Sequence, residues 1–315
     1  NSVTVVDTNP LLTASFVSVV PSVVTAGQVV TAVLQVSNAN ALVTASNVVV
    51  TGTGTNPGLV GTAYGLVSPL TVTTLVNGSP ATFTFRYTMT TTGSASLTAT
   101  AQASTGTAAA ATSGLVTVQS PVSLTVKTMA LTPGTVSLGQ VFTLVVTVSN
   151  QGGATATGVA PSGLLKSGTA GTPVLSGPTP SAAVLASGQS QAYTYTGVAV
   201  APTGTLAYLG LAVGVDGNSG QGVGATGYGA SSSIVVKQPA ALTATLALSH
   251  VLRNIGQQFA VTMTVQNTGG TDALVVAPSV LTSVGDGGVL LVSGPSPATQ
   301  TIAAGVSQVF VWTYQ

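Results

Sequence analysis

The clearest hydrophobic pattern in the chain is a stretch of alternating apolar and hydroxyl residues that occurs three times. In its central copy, residues 139–150, β-branched residues dominate and apolar and hydroxyl side chains largely alternate, which predicts a β-strand. Each copy opens with Gly-Gln and ends with an asparagine eleven residues after the glycine; the other two copies are residues 27–38 and 256–267. Because the copies are offset by 112 and 117 residues, each repeat is as long as a whole domain.

The same order of shorter alternating segments surrounds each copy. In the first repeat we predict further strands at residues 12–19, 45–51, 83–87, 95–101 and 115–118, and in the second at 124–129, 154–160, 193–195, 206–215 and 234–237. Residues 52–65 are predicted as a glycine-rich loop, and residues 175–178 as a turn. About seven short strands per repeat, turn signals every 8–12 residues and no helical period indicate an all-β chain of tandem Ig-like Greek-key β-sandwiches.

Prolines that follow valine-rich segments mark the predicted domain boundaries. The predicted divisions are residues 1–9 (the final strand of a preceding or neighbouring domain), 10–120 (repeat one), 121–238 (repeat two) and 239–315 (repeat three). Repeat three reaches its aromatic strand at residues 310–314, and the segments that correspond to 206–215 and 234–237 are not found after it. We therefore expect repeat three to be incomplete, with two strands missing.

Two explanations of that gap stay open at this point. The 315 residues are a window on a longer repeat protein whose next residues finish the domain, or a strand is donated by the next subunit, which would give a head-to-tail fibre. The candidate donor residues are Ser2, Val3, Thr4, Val5 and Val6, and the candidate acceptor residues are Phe310, Trp312 and Tyr314. A donated strand alone leaves the counterpart of residues 206–215 unfilled, which favours the longer chain.

Charge is the most unusual feature of the composition. Charged residues make up 3% of the 315 residues and the formal net charge is +1, so clustered cations that could bind nucleic acid or an anionic membrane are absent from the sequence. A surface of neutral polar residues does little to oppose side-by-side association. The chain has no cysteine, and no run of 18 apolar residues that would predict a membrane helix.

The recurrent motifs resemble those of a known group of proteins. A first strand, a proline, Gly-Gln, a Val/Thr strand ending in Ser-Asn or Gln-Asn, Ser-Gly-Pro and an aromatic strand are similar to the Ig-like repeats of bacterial surface proteins, the cell-adhesion-related (CARDB-like) repeats. The resemblance covers nearly the whole chain. It implies export, tandem arrays and a stalk, fibre or adhesive role, and it brings no catalytic residues with it.

Few residues suggest chemistry, and each has a simpler interpretation. Asp216 and Asn218 begin a run that resembles the start of a calcium loop, although a turn between strands explains it better because further acidic ligands are missing. His250, the single histidine, would need an aspartate and an exposed serine to form a catalytic triad, and a surface position at a strand end is favoured. Lys127 could enter an isopeptide bond, but a solvated lysine on an edge strand is favoured. We expect no cofactor.

The sequence therefore predicts a non-enzymatic extracellular structural protein at the cell surface, a subunit or segment of a filament, fibre or layer. The alternative is the stalk of a bacterial adhesin that presents a binding head, and a secreted hydrolase comes third. The expected partners are other copies of the chain, head-to-tail; glycans or a cell-surface anchor stay open. The predicted core residues are Val33, Val145, Val148 and Val265, with Phe85, Tyr195 and Trp312.

Overall fold

The computed structural model describes residues 8–54 and 60–315, and the side chains of residues 53–67 are outside the description. Within these ranges every regular element is a β-strand, and no helix is long and apolar enough to cross a membrane. The strands fall into three successive groups that follow the three repeats, and each group surrounds its own hydrophobic core. The chain is all-β.

Repeat one forms two sheets from nine strands in the described residues. The strands are β1 (Leu12–Val20), β2 (Val23–Thr25), β3 (Val29–Asn38), β4 (Ala45–Gly54), β5 (Val60–Ser68), β6 (Thr71–Leu75), β7 (Ala81–Met89), β8 (Gly93–Gln102) and β9 (Ala109–Gln119). One sheet has the order β1-β3-β7-β5 and the other β2-β9-β8-β4-β6. The central strand β3 alternates buried and half-buried residues, as a strand in a sandwich must, since successive side chains point to opposite faces.

Repeat two has the same plan with two extra short strands. Its strands are β10 (Leu124–Thr132), β11 (Thr135–Ser137), β12 (Val141–Asn150), β13 (Ala156–Ser167), β14 (Leu175–Thr179), β15 (Ala183–Leu185), β16 (Ser190–Val198), β17 (Gly204–Asp216), β18 (Gly222–Gly224), β19 (Gly229–Ala230) and β20 (Ile234–Lys237). The first sheet is β10-β12-β16-β14. The second is β11-β20-β17-β13-β15, and β18 and β19 also pair with β17.

Repeat three has a full first sheet and a much smaller second one. Its strands are β21 (Leu242–Leu248), β22 (Phe259–Asn267), β23 (Ala273–Val276), β24 (Leu291–Ser296), β25 (Gln300–Ile302) and β26 (Ser307–Tyr314). The first sheet, β21-β22-β26-β24, repeats the order of the other two repeats. The second sheet described here consists of β23 and β25, where repeats one and two have at least five strands.

The strand order identifies the sandwich as Ig-like. One sheet of repeat two places its first strand, its central strand and its aromatic strand side by side (β10-β12-β16-β14), which is the arrangement of strands A, B, E and D in an immunoglobulin domain. In the other sheet β17 lies between the last strand, β20, and β13, as F lies between G and C in that fold. The short β11 pairs with β20 in parallel while the neighbouring pairs are antiparallel. Repeat one follows the same topology.

Burial agrees with the predicted core at five positions and differs at two. Val148, Val265, Phe85, Tyr195 and Trp312 are buried, as the alternation predicts. The prediction was wrong for Val33 and Val145, which are half-buried on the outer face of the first sheet. Their immediate neighbours fill the core instead. Since valine or leucine occupies several adjacent positions in these strands, the sequence pattern alone does not decide which face points inward.

Two segments predicted as irregular are strands. Within the described part of the segment predicted as a glycine-rich loop, residues 52–54 belong to β4 and residues 60–65 to β5; the rest of that prediction lies outside the described residues. Leu175–Pro178, predicted as a turn, lies in the edge strand β14, and the matching Ser-Gly-Pro of repeat three lies in β24. An ideal Cβ on Gly177 would lie 2.8 Å from the carbonyl oxygen of Thr194 in β16, so the motif marks a place where an edge strand approaches the aromatic strand closely.

Candidate functional site

The asparagine that ends each copy of the central strand joins the two sheets. Asn150 is fully buried, and its Oδ1 accepts hydrogen bonds from the backbone N–H groups of Ser123 (3.3 Å) and Gly152 (3.0 Å). Its Nδ2 donates to the carbonyl oxygens of Ala154 (2.8 Å) and Leu185 (3.1 Å). Leu185 ends β15 in the opposite sheet, whereas Ser123 belongs to the segment that enters the repeat. One amide therefore fixes the sheet-to-sheet spacing and the path of the entering chain together.

The other two repeats reproduce this arrangement bond for bond. Asn38 joins Leu11 N, Asn40 N, Val43 O and Leu75 O, and Asn267 joins Ala241 N, Gly269 N, Thr271 O and Ile302 O. All three asparagines are buried, and all four hydrogen-bonding positions of each amide are used. The recurrent asparagine is thus a structural staple, a role that the sequence pattern marked only by its regular spacing.

The Gly-Gln pair that opens each copy shapes the turn before the central strand. The glycines adopt positive φ angles of 96°, 83° and 85° at Gly27, Gly139 and Gly256, a backbone region that favours glycine. In repeat one the glutamine side chain then accepts a hydrogen bond from the backbone N–H three residues earlier, Thr25, at 2.6 Å. The same bond forms to Gln140 at 2.7 Å and to Gln257 at 3.3 Å.

A buried carboxylate lies at the junction between repeats one and two. Asp216, which ends β17 of repeat two, is 2% exposed. The hydroxyl of Thr25 in repeat one donates to its Oδ1 at 2.9 Å, and the backbone N–H of Val122 in the linker donates to Oδ2 at 3.1 Å. The backbone N–H groups of Asn218 and Ser219 donate to Oδ1, both at 3.0 Å. Asp216 therefore bonds to repeat one, the linker and its own loop at once.

Asn218 adds further bonds across the same junction. Its Nδ2 donates to Oε1 of Gln119 at 2.8 Å and to the hydroxyl of Thr25 at 3.2 Å. The Nε2 of Gln28 donates in turn to the carbonyl oxygen of Asn218 at 3.1 Å. We call this network of Asp216, Asn218, Thr25, Gln28 and Gln119 the junction clasp. It connects the β17–β18 loop of one repeat to the far end of the previous one.

The environment of Asp216 decides its protonation. Burial by itself raises the pKa of the carboxyl, but hydrogen bonds from Ser219 N, Val122 N, the Thr25 hydroxyl and Asn218 N together hold the pKa below its ordinary value. The charged form is therefore the one that the clasp stabilises. All of these donors are neutral, so the clasp binds a negative charge with dipoles and no cation.

The weak calcium candidate residues Asp216 and Asn218 lie in the loop that joins β17 to β18, and this loop belongs to the junction. Both carboxylate oxygens of Asp216 accept hydrogen bonds from protein groups. In the described residues no group of three or more His, Cys, Asp or Glu side chains could hold a metal ion. The sequence did not reveal this partnership because Thr25 and Asp216 are 191 residues apart.

His250 and Lys127 lie on the surface. The His250 ring nitrogen Nδ1 lies 3.0 Å from the hydroxyl of Ser249, and the guanidinium of Arg253 lies within 3.0 Å of the same ring. Asp272, an aspartate of the same repeat, accepts a hydrogen bond from Ala304 N. Lys127 is exposed at a bulge of the edge strand β10, the position expected for a lysine that protects a sheet edge.

The proposed assembly residues are only partly described. Ser2, Val3, Thr4, Val5 and Val6, the candidate donor strand, lie outside the described residues. The candidate acceptor residues Phe310, Trp312 and Tyr314 are on one face of β26 and are already buried. The edge strand β21 of the same sheet carries a row of exposed leucines.

Comparisons with known proteins add little beyond the fold. The chain matches no protein-family model and no curated protein sequence. Among solved structures it is similar to the Escherichia coli adhesin FdeC, with 17% identity, 96% of this chain and 87% of that chain covered, and a TM-score of 0.32. It is also similar to the Yersinia pseudotuberculosis adhesin InvE (15% identity, 72% and 60% covered, TM-score 0.22) and to fibronectin(III)-like modules of Clostridium thermocellum CbhA (15%, 71% and 94%, 0.23). These likenesses carry no argument about function, and the Ig-like assignment rests on the strand order.

Proposed function

We propose that the chain is a non-enzymatic structural protein of the cell surface, a subunit or segment of an extracellular filament or fibre built from tandem Ig-like domains. The observation that carries this proposal is the junction clasp. Domains joined by a linker move relative to each other by default, unless their interface is extensive or specifically bonded. Here the linker residue Val122 and both flanking repeats bind the same buried carboxylate, Asp216, so repeats one and two act as one stiff unit.

The staple asparagines support the same function. At the entrance of repeat two, Asn150 holds Ser123, and at the entrance of repeat three Asn267 holds Ala241 in the same way. Each entering segment is thereby attached to the body of its own repeat, which removes freedom from the linker. A chain whose repeats are held at fixed angles is stiff along its length, and a filament or stalk requires this stiffness.

The near-absence of charge supports lateral or end-to-end association. With 3% charged residues, little long-range repulsion opposes contact between copies. In the proposed fibre, copies or successive segments meet head-to-tail. Donation of residues 2–6 to repeat three of the next copy is one route to that contact, and a longer chain with more repeats is the other. Glycans or a surface anchor would be further partners of such a fibre.

The test is electron microscopy of the native particle together with variants of the clasp. We expect fibres with a regular axial repeat and a constant angle between repeats one and two. Asp216→Ala should broaden that angle, whereas Asp286→Ala, at an exposed position, should leave it unchanged. A wide spread of angles in the unmodified chain would contradict the proposal. Isolated rods without an axial repeat would favour the alternative function, the stalk of an adhesin. The third candidate, a hydrolase, would require a pocket in which polar groups converge.

A further inference from the structure

Strand β21 presents to solvent a row of leucines whose counterparts in repeat two are buried. Leu242, Leu246 and Leu248 are 46%, 58% and 55% exposed, whereas their counterparts Leu124, Met129 and Leu131 on β10 are 3%, 6% and 4% exposed. The two strands occupy the same edge of the same four-stranded sheet. Contiguous exposed apolar side chains of this kind mark surfaces that another element covers.

The pairing registers establish that these positions correspond. Leu124 lies opposite the staple Asn150, and Leu242 lies opposite the staple Asn267. Strand β10 contains a bulge between Val126 and Thr128 that β21 lacks, and the bulge shifts the pairing by one residue. The correspondence must therefore also be checked on the far side of the bulge. There, Leu131 faces Leu144 and Leu248 faces Val261, residues that each precede the staple asparagine by six positions. The row therefore has the same place in both sandwiches.

Repeat two shows what covers this row. Ideal Cβ atoms built on Gly210 and Gly214 of β17 would lie 3.3 Å from Cε of Met129 and 3.2 Å from Cδ1 of Leu124. An ideal Cβ on Gly229 of β19 would lie 3.3 Å from Sδ of Met129. The long side chains of β10 thus pack directly on glycine backbones of the opposite sheet. Small residues are required at these crossing points, because a larger side chain would take the space of the apolar row.

Repeat one solves the same packing problem with alanine. Its β8 and β9 cover β1, and the inward residues of β8 are Ala95, Leu97, Ala99 and Ala101, all buried. In both repeats the covering element is a pair of adjacent antiparallel segments, β8 with β9 in repeat one and β17 with the β19–β20 segment in repeat two. In repeat two, the residues of the covering segments that meet the apolar row are the glycines Gly210, Gly214 and Gly229.

Repeat three has an open space where such a pair would lie. A cavity of about 480 Å³ is lined by Leu246, Leu248, Phe259, Leu281, Val284 and Tyr314. Beside it, residues 252–254 stand at the position of β11, which in repeat two pairs in parallel with β20. In repeat three these residues are outside any strand, and Leu252 and the nearby Ile255 are exposed.

We infer that this face of repeat three binds an antiparallel pair of β-strands that has glycine or alanine where it crosses the leucine row, as β17 and the β19–β20 segment have in repeat two, and that its second strand pairs in parallel with residues 252–254. We call this pair the strand complement. The inference deepens the proposed function, since its use in a fibre rests on that proposal. The binding itself is tested on single chains, so a failure here leaves the microscopy result independent.

The test supplies the strand complement from the protein's own sequence. Tyr314 in β26 pairs with Phe259 as Gly197 in β16 pairs with Phe142, so Gln315 corresponds to Val198. A copy of residues 199–238 can therefore be added directly after Gln315. The chain has no cysteine, so Leu246→Cys introduces a unique thiol into the exposed row. Its rate of maleimide labelling is compared between the chain with and without the extension. Val309→Cys, on the exposed face of β26, serves as the matched control.

We expect the extension to slow labelling of Leu246→Cys about 100-fold, because reaction then requires local opening of the covered sheet. Labelling of Val309→Cys should stay unchanged. Replacing the copies of Gly210 and Gly214 in the extension by aspartate should restore fast labelling, since charged and larger side chains do not fit against the leucine row. Protection of this kind, lost in the aspartate version, supports the inference.

Two outcomes would overturn it. One is fast labelling of Leu246→Cys with the unaltered extension present. The other is slow labelling of Leu246→Cys in the unextended chain that becomes slower with protein concentration, is accompanied by a doubled mass, and persists after deletion of residues 1–9. This result would mean that the sheet of a second copy, and not a strand pair, covers the face. Protection that the deletion abolishes would identify residues 2–6 as one strand of the complement and would support the inference.

Discussion

The staple asparagine of repeat three allows a sharp test of what holds these sandwiches together. Asn267 is buried and makes four hydrogen bonds, to Ala241 N, Gly269 N, Thr271 O and Ile302 O, at distances from 2.8 to 3.2 Å. Asn267→Ala removes all four bonds, of which the one to Ile302 O is buried and the other three are partly buried. At about 1 kcal/mol net for each bond, the expected loss in the free energy of unfolding is about 4 kcal/mol.

The assay uses the single tryptophan of the chain. Trp312 lies in the core of repeat three, so its fluorescence during urea unfolding reports that repeat and not the other two. With a slope of about 2 kcal/mol per molar urea, typical of a small domain, the loss should lower the midpoint by about 2 M. Asn254→Ala is the matched control, because Asn254 is exposed in the same repeat and should shift the midpoint by less than about 0.3 M.

Asn267→Asp separates the two halves of the staple. Aspartate keeps the acceptor for Ala241 N and Gly269 N but loses the amide that donates to Thr271 and Ile302, and it turns a carboxylate toward both carbonyl oxygens. We expect it to be at least as destabilising as alanine. If Asn267→Ala and the control gave equal midpoints, the staple would contribute nothing measurable, and the reasoning from its buried bonds would be refuted.

Three further predictions concern the core, the surface and the junction. Trp312→Ala should cost about 3–5 kcal/mol in calorimetric or circular dichroism unfolding, against less than about 0.5 kcal/mol for the exposed Val309→Ala; equal values would show that Trp312 is not a core residue. Because charge is sparse, unfolding midpoints and assembly should hardly change with NaCl below ~0.5 M, and steep salt-induced dissociation would contradict this. The lowered pKa of Asp216 means that its contribution is present above the unfolded value of about 3.9 and is lost as pH falls through the folded pKa. The stability difference between the native chain and Asp216→Asn should therefore shrink below about pH 4 in thermal unfolding scans. A difference that stayed constant down to about pH 2 would mean that the clasp does not stabilise the charged form.

The sequence was sufficient for the elements that alternate strongly. Strands such as β12 and β16 place large apolar or aromatic residues at most of their inward positions, and the alternation is clear because one face of each strand is buried. It failed for the edge strand β14, since its Ser-Gly-Pro motif is also turn chemistry. The glycine there permits close approach to a neighbouring strand, which only the neighbour's position reveals.

The candidate site was much harder to predict than the fold. The regular spacing of the asparagines drew attention to them, but their four bonds run to backbone groups, which carry no sequence signal. The clasp was out of reach for another reason: Asp216 binds Val122, 94 residues earlier, and Thr25, 191 residues earlier, so no local motif joins them. Its one visible feature, an acidic residue in a glycine-containing turn, is shared by metal loops and ordinary turns alike.

The buried polar side chains of this protein are held by hydrogen bonds whose donors are neutral groups. The buried polar and charged side chains among the described residues are three asparagines, Thr25, Ser149 and Asp216, and Asp216 is the one charged member. A buried amide with four partners needs no counter-ion and responds little to salt, whereas a buried carboxylate held by neutral donors responds to acid alone. The consequence for repeat three is that the residues lining the cavity on its open face are uncharged, with one cation, Arg253, in the neighbouring segment 252–254. Selectivity there must come from shape, through the small residues that let a strand pair cross the leucine row, which is why aspartate at the crossing glycines is the most discriminating change to make.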